Sequence, residues 1–119
     1  MTELTANDVW CLIRNAGLVP GIDNILMAAN LFAICGYDTG ICQRFSYEGQ
    51  TVRPEHALDL IVGEMKRSMS GTFAGTMLRR GEWEAWTNTP IDNRFEVTKR
   101  YPSESEAVIA AYRAWKEGK

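Results

Sequence analysis

The stretch RYPSESEAVIAAYRAWKEG, residues 100–118, holds a strand end, a stop and a helix start within a few positions. Arg100 and Tyr101 close a β-like run, and Pro102, which has no N–H to give to a ladder, ends it. Ser103 with Glu106 three residues on reads as a capping box, so a helix begins there. Val108, Ala111, Tyr112 and Trp115 fall at i, i+3, i+4 and i+7, which gives that helix one aromatic-rich stripe that must lie on something. The nearest apolar surface is the segment before it. GTMLRR (75–80), EWEAWTN (82–88) and RFEVTKR (94–100) are β-like runs separated by Gly81 and by the turn TPIDN (89–93). A meander of two or three antiparallel strands with a capped helix packed on it is predicted for the second half.

Upstream of the meander the period is 3.6. Pro54 opens a helix in which Leu58, Ile61, Val62, Met65 and Met69 share one face, with Glu55, Asp59, Glu64, Lys66 and Arg67 largely off that stripe, and the helix ends by Gly71. ICQRFSYEGQTV (41–52) alternates around Glu48-Gly49 and reads as a strand or hairpin. IDNILMAANLFAIC (22–35) is apolar nearly all round and reads as a core helix closed by Gly36 in a left-handed conformation. A helix of that kind sits at a domain centre or in an interface, and it predicts a homodimer. The first helix starts at Thr5, whose hydroxyl can accept from the backbone of Asp8; it carries Val9, Leu12, Ile13 and Ala16 on one face and stops at Gly17, before a Pro20-Gly21 turn. The predicted class is α+β, with a helical N-terminal half, a small antiparallel sheet in the second half and a C-terminal helix packed on that sheet.

The totals fit one domain, residues 1–119. At 119 residues and 13.4 kDa the chain is long enough for a single core and short for two of ordinary size. With 45% hydrophobic and 24% charged residues it has too many large apolar side chains for a disordered chain. A net charge of −2 supplies no basic field for sequence-independent phosphate binding, which disfavours nucleic acid as a partner. Three cysteines are too few for a disulfide framework, and MTELTANDVW lacks the basic and apolar regions of a secretory leader. A cytoplasmic setting is expected. The most apolar stretch, 22–35, is too short to cross a bilayer, so no membrane partner is expected.

Few residues carry chemistry. His56 is the sole histidine, and no nucleophile elbow or HExxH pattern accompanies it, so it reads as a surface residue near a helix start. Cys35 and Cys42 lie outside the tight spacing of metal-binding pairs, Cys11 sits in an apolar helix, and all three read as small hydrophobes. Glu82 and Glu84 flank Trp83 on one side of a strand and read as carboxylates on a solvated face. GTFAG (71–75) lacks the ending and context of a phosphate loop and reads as a loop before the sheet. No catalytic set, metal site or cofactor is expected. The candidate binding residues are Arg79, Arg80, Trp83, Trp86, Arg94 and Tyr101, with Lys99 and Arg100 nearby, because a guanidinium stacks on an aromatic face and forks to an anion. Alternation puts Trp83 and Ala85 on one face of a strand and Glu84 and Trp86 on the other.

Trp83 and Ala85 in a hairpin, followed by Ser103 at a helix cap and the Glu106, Ala107, Val108 start, resemble the ending of small phage and prophage accessory proteins of the phage α-β-α sandwich type. The resemblance covers about a third of the chain. It implies a non-enzymatic binding protein that acts on a host macromolecular complex of the defence or transcription machinery by steric occlusion. Two other readings stay open. One is a protein that binds a nucleotide-like small molecule, with Trp86 or Tyr101 stacking the ring and Arg79 or Arg94 holding the phosphate. The other is a small enzyme using His56 with a nearby carboxylate or Cys42.

Overall fold

The computed structural model describes residues 4–17, 25–89 and 94–117. The chain divides into two compact units, Met1–Glu64 and Met65–Lys119. The first holds α1 (Ala6–Asn15), α2 (Ile25–Ala28), β1 (Leu31–Cys35), β2 (Cys42–Tyr47), β3 (Gln50–Val52) and most of α3 (Pro54–Ser68). The second holds the end of α3, then β4 (Phe73–Arg79), β5 (Glu82–Thr89), β6 (Arg94–Val97) and α4 (Glu104–Glu117). Each unit has one antiparallel sheet, in the orders β1-β2-β3 and β4-β5-β6. The α+β class is as predicted, and so is the C-terminal helix packed on the second sheet.

The helical N-terminal half needs correction. The helix expected over 22–35 is a four-residue turn of helix, α2, followed by the strand β1. Between them Asn30 takes φ 60° and donates its N–H to the Met27 carbonyl at 3.0 Å, a left-handed stop that asparagine tolerates better than most residues. The next five residues then pair with β2. A short apolar run fits a buried helix and a buried strand equally well by periodicity, and here the available ladder decides. Leu31 turns into the core while Phe32, its neighbour, is 67% exposed. Gly36 caps no helix; its N–H extends the ladder to the Ile41 carbonyl at 2.8 Å. The predicted Pro20-Gly21 turn, and residues 90–93 of the TPIDN turn, lie outside the described residues.

Local signals formed as read. Asp8 N–H donates to Thr5 Oγ1 at 3.1 Å and Thr5 N–H to Asp8 Oδ2 at 2.8 Å, which completes a capping box on α1. Two hairpins turn on two residues with positive φ, Glu48-Gly49 (51° and 82°) and Arg80-Gly81 (51° and 82°), the mirror-image turn whose twist matches that of the flanking strands. The stripe on α3, Leu58, Ile61, Val62, Met65 and Met69, is buried.

In the first sheet the register pairs Ala33 with Phe45 and Cys35 with Cys42, with an irregularity between Ile34 and Cys35. One extra residue on β2 lets Cys42 and Phe45, three apart, face the same way. Both are buried. α1 lies on β2, with Val9 and Ile13 buried, Trp10 and Phe45 at 6.5 Å between ring centroids, and Asn7 Oδ1 accepting from Cys42 N–H at 3.1 Å.

In the second sheet α4 packs on β5 and β4. Ala85 at the centre of β5 is completely buried, Ala107 and the stripe residues Val108, Ala111 and Tyr112 of α4 are buried, and Trp115 is half-buried. Ser103 Oγ accepts from Glu106 N–H at 3.2 Å, the hydroxyl half of the expected box. Past Val97 the chain stays fastened to β5. Thr98 Oγ1 accepts from Ala85 N–H at 2.9 Å, and Trp83 and Tyr101 exchange two backbone hydrogen bonds of 2.7 Å. Lys66 reaches Glu104 at 3.4 Å and stands over the Phe73 ring.

Candidate functional site

Strand alternation sorts the second sheet into two faces. Gly75 pairs with Trp86, Met77 with Glu84, Arg79 with Glu82, Trp86 with Val97 and Asn88 with Phe95, so these side chains share one face. Leu78, Trp83, Ala85 and Tyr101 belong to the other, where Ala85 lies under α4. On the first face Met77 (43%), Phe95 (58%) and Val97 (44%) remain exposed. These three exposed apolar side chains lie together on the face that α4 does not cover.

Glu84 lies at its centre. The sequence reading put this carboxylate on a solvated face; it is in fact only 6% exposed. Arg79 Nε approaches Glu84 Oε1 at 3.1 Å, and Trp86 Nε1 donates to the same oxygen at 3.3 Å. A buried carboxylate needs such donors, because the effective penalty for desolvating an ion is several kcal/mol. The arrangement also fixes the indole. Phe95 packs edge-on against it at 6.0 Å between centroids, so Trp86 is held at its N–H by Glu84 and at its ring by Phe95. An aromatic anchor held in place before contact loses little rotamer freedom on binding.

Beside Trp86 a cavity of about 210 Å³ is lined by Ala74, Gly75, Thr76, Met77 and the indole. It opens where β4 departs from regular register between Phe73 and Gly75. Gly75 sits at φ 144°, a conformation that favours glycine, and a Cβ there would meet no atom within 4 Å. The missing side chain thus leaves the cavity floor open. The predicted loop at 71–75 becomes the start of β4 and one wall of this cavity.

Of the predicted binding residues, the structure brings Arg79 and Trp86 together through Glu84. Arg80 is exposed in the hairpin turn, Arg94 is exposed at the start of β6 on the α4 side, and Trp83 and Tyr101 are half-buried partners on that same side. Glu84, Met77 and Phe95 were missed. The Arg80-Gly81 turn held the signal, because a two-residue hairpin fixes Arg79 opposite Glu82 and therefore Met77 opposite Glu84.

His56 is exposed in the first turn of α3, and among the described residues no group of three or more His, Cys, Asp or Glu is placed to hold a metal ion. No helix among them is long and apolar enough to cross a membrane. Comparison with known proteins returns no match: no family model fits the chain, and no curated protein and no solved structure is similar to it.

Proposed function

We propose that the chain is a non-enzymatic binding protein that recognises a host protein through the open face of the second sheet. The observation that carries this reading is the fixed indole of Trp86, held by the buried Glu84, which the exposed Arg79 also contacts, and ringed by the exposed Met77, Phe95 and Val97. Interfaces concentrate their energy in such aromatic and arginine anchors surrounded by apolar contacts. The cavity beside it favours a protein partner over a nucleotide. At about 210 Å³ it takes one side chain of a partner, whereas small-molecule sites run to roughly 300–1,000 Å³.

The setting follows from the resemblance of the last third of the chain to phage and prophage accessory proteins: a cytoplasmic target in the defence or transcription machinery, blocked by occlusion. The test is capture from bacterial lysate with the wild type, Phe95→Ser and Phe32→Ser in parallel, the captured protein being identified and its affinity measured. A specific partner lost with Phe95→Ser and kept with Phe32→Ser supports the reading. Equal capture by all three contradicts it.

The nucleotide reading keeps one observation in its favour, the position of the cavity beside Trp86. A thermal shift with nucleotides that disappears in Trp86→Ala would establish it in place of the protein partner. A second copy of this chain is a further occupant of the same face. Sedimentation at high micromolar concentration distinguishes it, since a dimer split by Phe95→Ser would assign the face to self-association.

A further inference from the structure

Away from the aromatic face, the first sheet brings two thiols together. Cys35 at the end of β1 and Cys42 at the start of β2 are register partners. Directly opposed residues of antiparallel strands have Cα atoms roughly 4.5–5.5 Å apart, inside the roughly 4.4–6.8 Å that a disulfide spans. The irregularity after Ile34 turns Cys42 onto the face of Phe45, the face to which Cys35 also belongs. Cys35 is exposed and Cys42 is buried, its Sγ donating to the Arg44 carbonyl at 3.5 Å.

We propose that Cys35 and Cys42 form a cross-strand dithiol that a low-molecular-weight disulfide oxidises to an intramolecular disulfide. The thiolate of the exposed Cys35 attacks one sulfur of the small disulfide, whose S–S bond breaks; a mixed disulfide forms on Cys35 and one thiolate leaves. Cys42 gives its proton to solvent and attacks Cys35 Sγ, which breaks the mixed disulfide and releases the second thiolate. Two protein thiols are oxidised to one disulfide, the small disulfide is reduced to two thiols, and the two protons end on those thiols. Burial and the neighbouring Cys35 push the Cys42 thiol up to about 11, which makes it the slower, resolving partner and Cys35 the entry point. The bond closes the loop 36–41 at its base and ties the β1 edge to β2.

The experiment treats the full chain with oxidised glutathione and reads intact mass and peptide map. The expected wild-type product has Cys35 and Cys42 joined and carries glutathione only on the exposed Cys11. Cys11→Ser forms the same internal bond, is lighter by two hydrogens and retains no glutathione, Cys42→Ser accumulates glutathione on Cys35, and Cys35→Ser forms no internal bond. A wild type that stays as a glutathione adduct on Cys35, or whose Cys42 remains open to alkylation after prolonged exposure, overturns the proposal. That wild-type result decides the question even where a cysteine variant fails to fold.

Discussion

The two units are built on one plan and differ in what the plan leaves outside. Each has a three-stranded antiparallel sheet, a two-residue hairpin with both residues at positive φ, and a helix against one face. In the first sheet the large aromatic faces inward: Phe45 is fully buried against Trp10, while the far face shows Phe32 among Arg44, Ser46 and Thr51. In the second sheet the strand residue fully buried on the helix side is Ala85, with Trp83 and Tyr101 half-buried on that side, while Trp86, with Met77, Phe95 and Val97, is on the other. The first sheet uses its aromatic for folding. The second keeps two of its aromatics, Trp86 and Phe95, on the face away from its helix.

The largest effect expected from that contrast is on stability. Phe45→Ala should cost about 3–5 kcal/mol, the usual result of emptying a buried aromatic site, whereas Phe95→Ala should stay within about 1 kcal/mol. Urea unfolding of the two variants measures the difference. Similar losses would mean that the open face is part of a core and would remove the distinction between the sheets.

Arg79→Ala comes next. It leaves the buried Glu84 with one fewer donor and should cost about 1–3 kcal/mol, with part of the loss recovered when Glu84→Gln is added. Denaturation of the single and double variants gives the coupling. Additive losses would show that Arg79 and Glu84 do not act as a pair. Trp86→Ala belongs with this group, since its indole N–H is the second donor to the same oxygen.

The smallest effects lie at the helix starts. Ser103→Ala and Thr5→Ala should each cost about 1 kcal/mol by removing a capping acceptor, one in each unit. Chemical denaturation resolves both, and a loss well below that at Ser103 would show that packing of α4 on β5 and β4 is enough to hold the helix start.

These differences also mark what the sequence could tell. Thr5 with Asp8, Ser103 with Glu106, and Gly49 and Gly81 act within three or four residues, so their caps and turns were readable from the chain alone. The stripe on α3 was readable for the same reason. The run 22–35 was not, because Asn30 in the left-handed region is settled by whether β2 offers β1 a ladder, a pairing across a loop. Glu84 was misread for a related cause. Its burial depends on Arg79 and Trp86 converging from two strands, and a pattern of alternating residues on one strand does not show what crosses from the next.

Trp86 is where the account is most exposed to test. With the partner captured by the wild type in hand, its affinity for Trp86→Ala and for Phe32→Ala should be measured by calorimetry on variants shown to be folded. The account predicts a loss of more than about tenfold, or about 1.4 kcal/mol, for Trp86→Ala and no change for Phe32→Ala. Undiminished binding by a folded Trp86→Ala would contradict it, and a loss confined to Phe32→Ala would in addition place recognition on the first sheet.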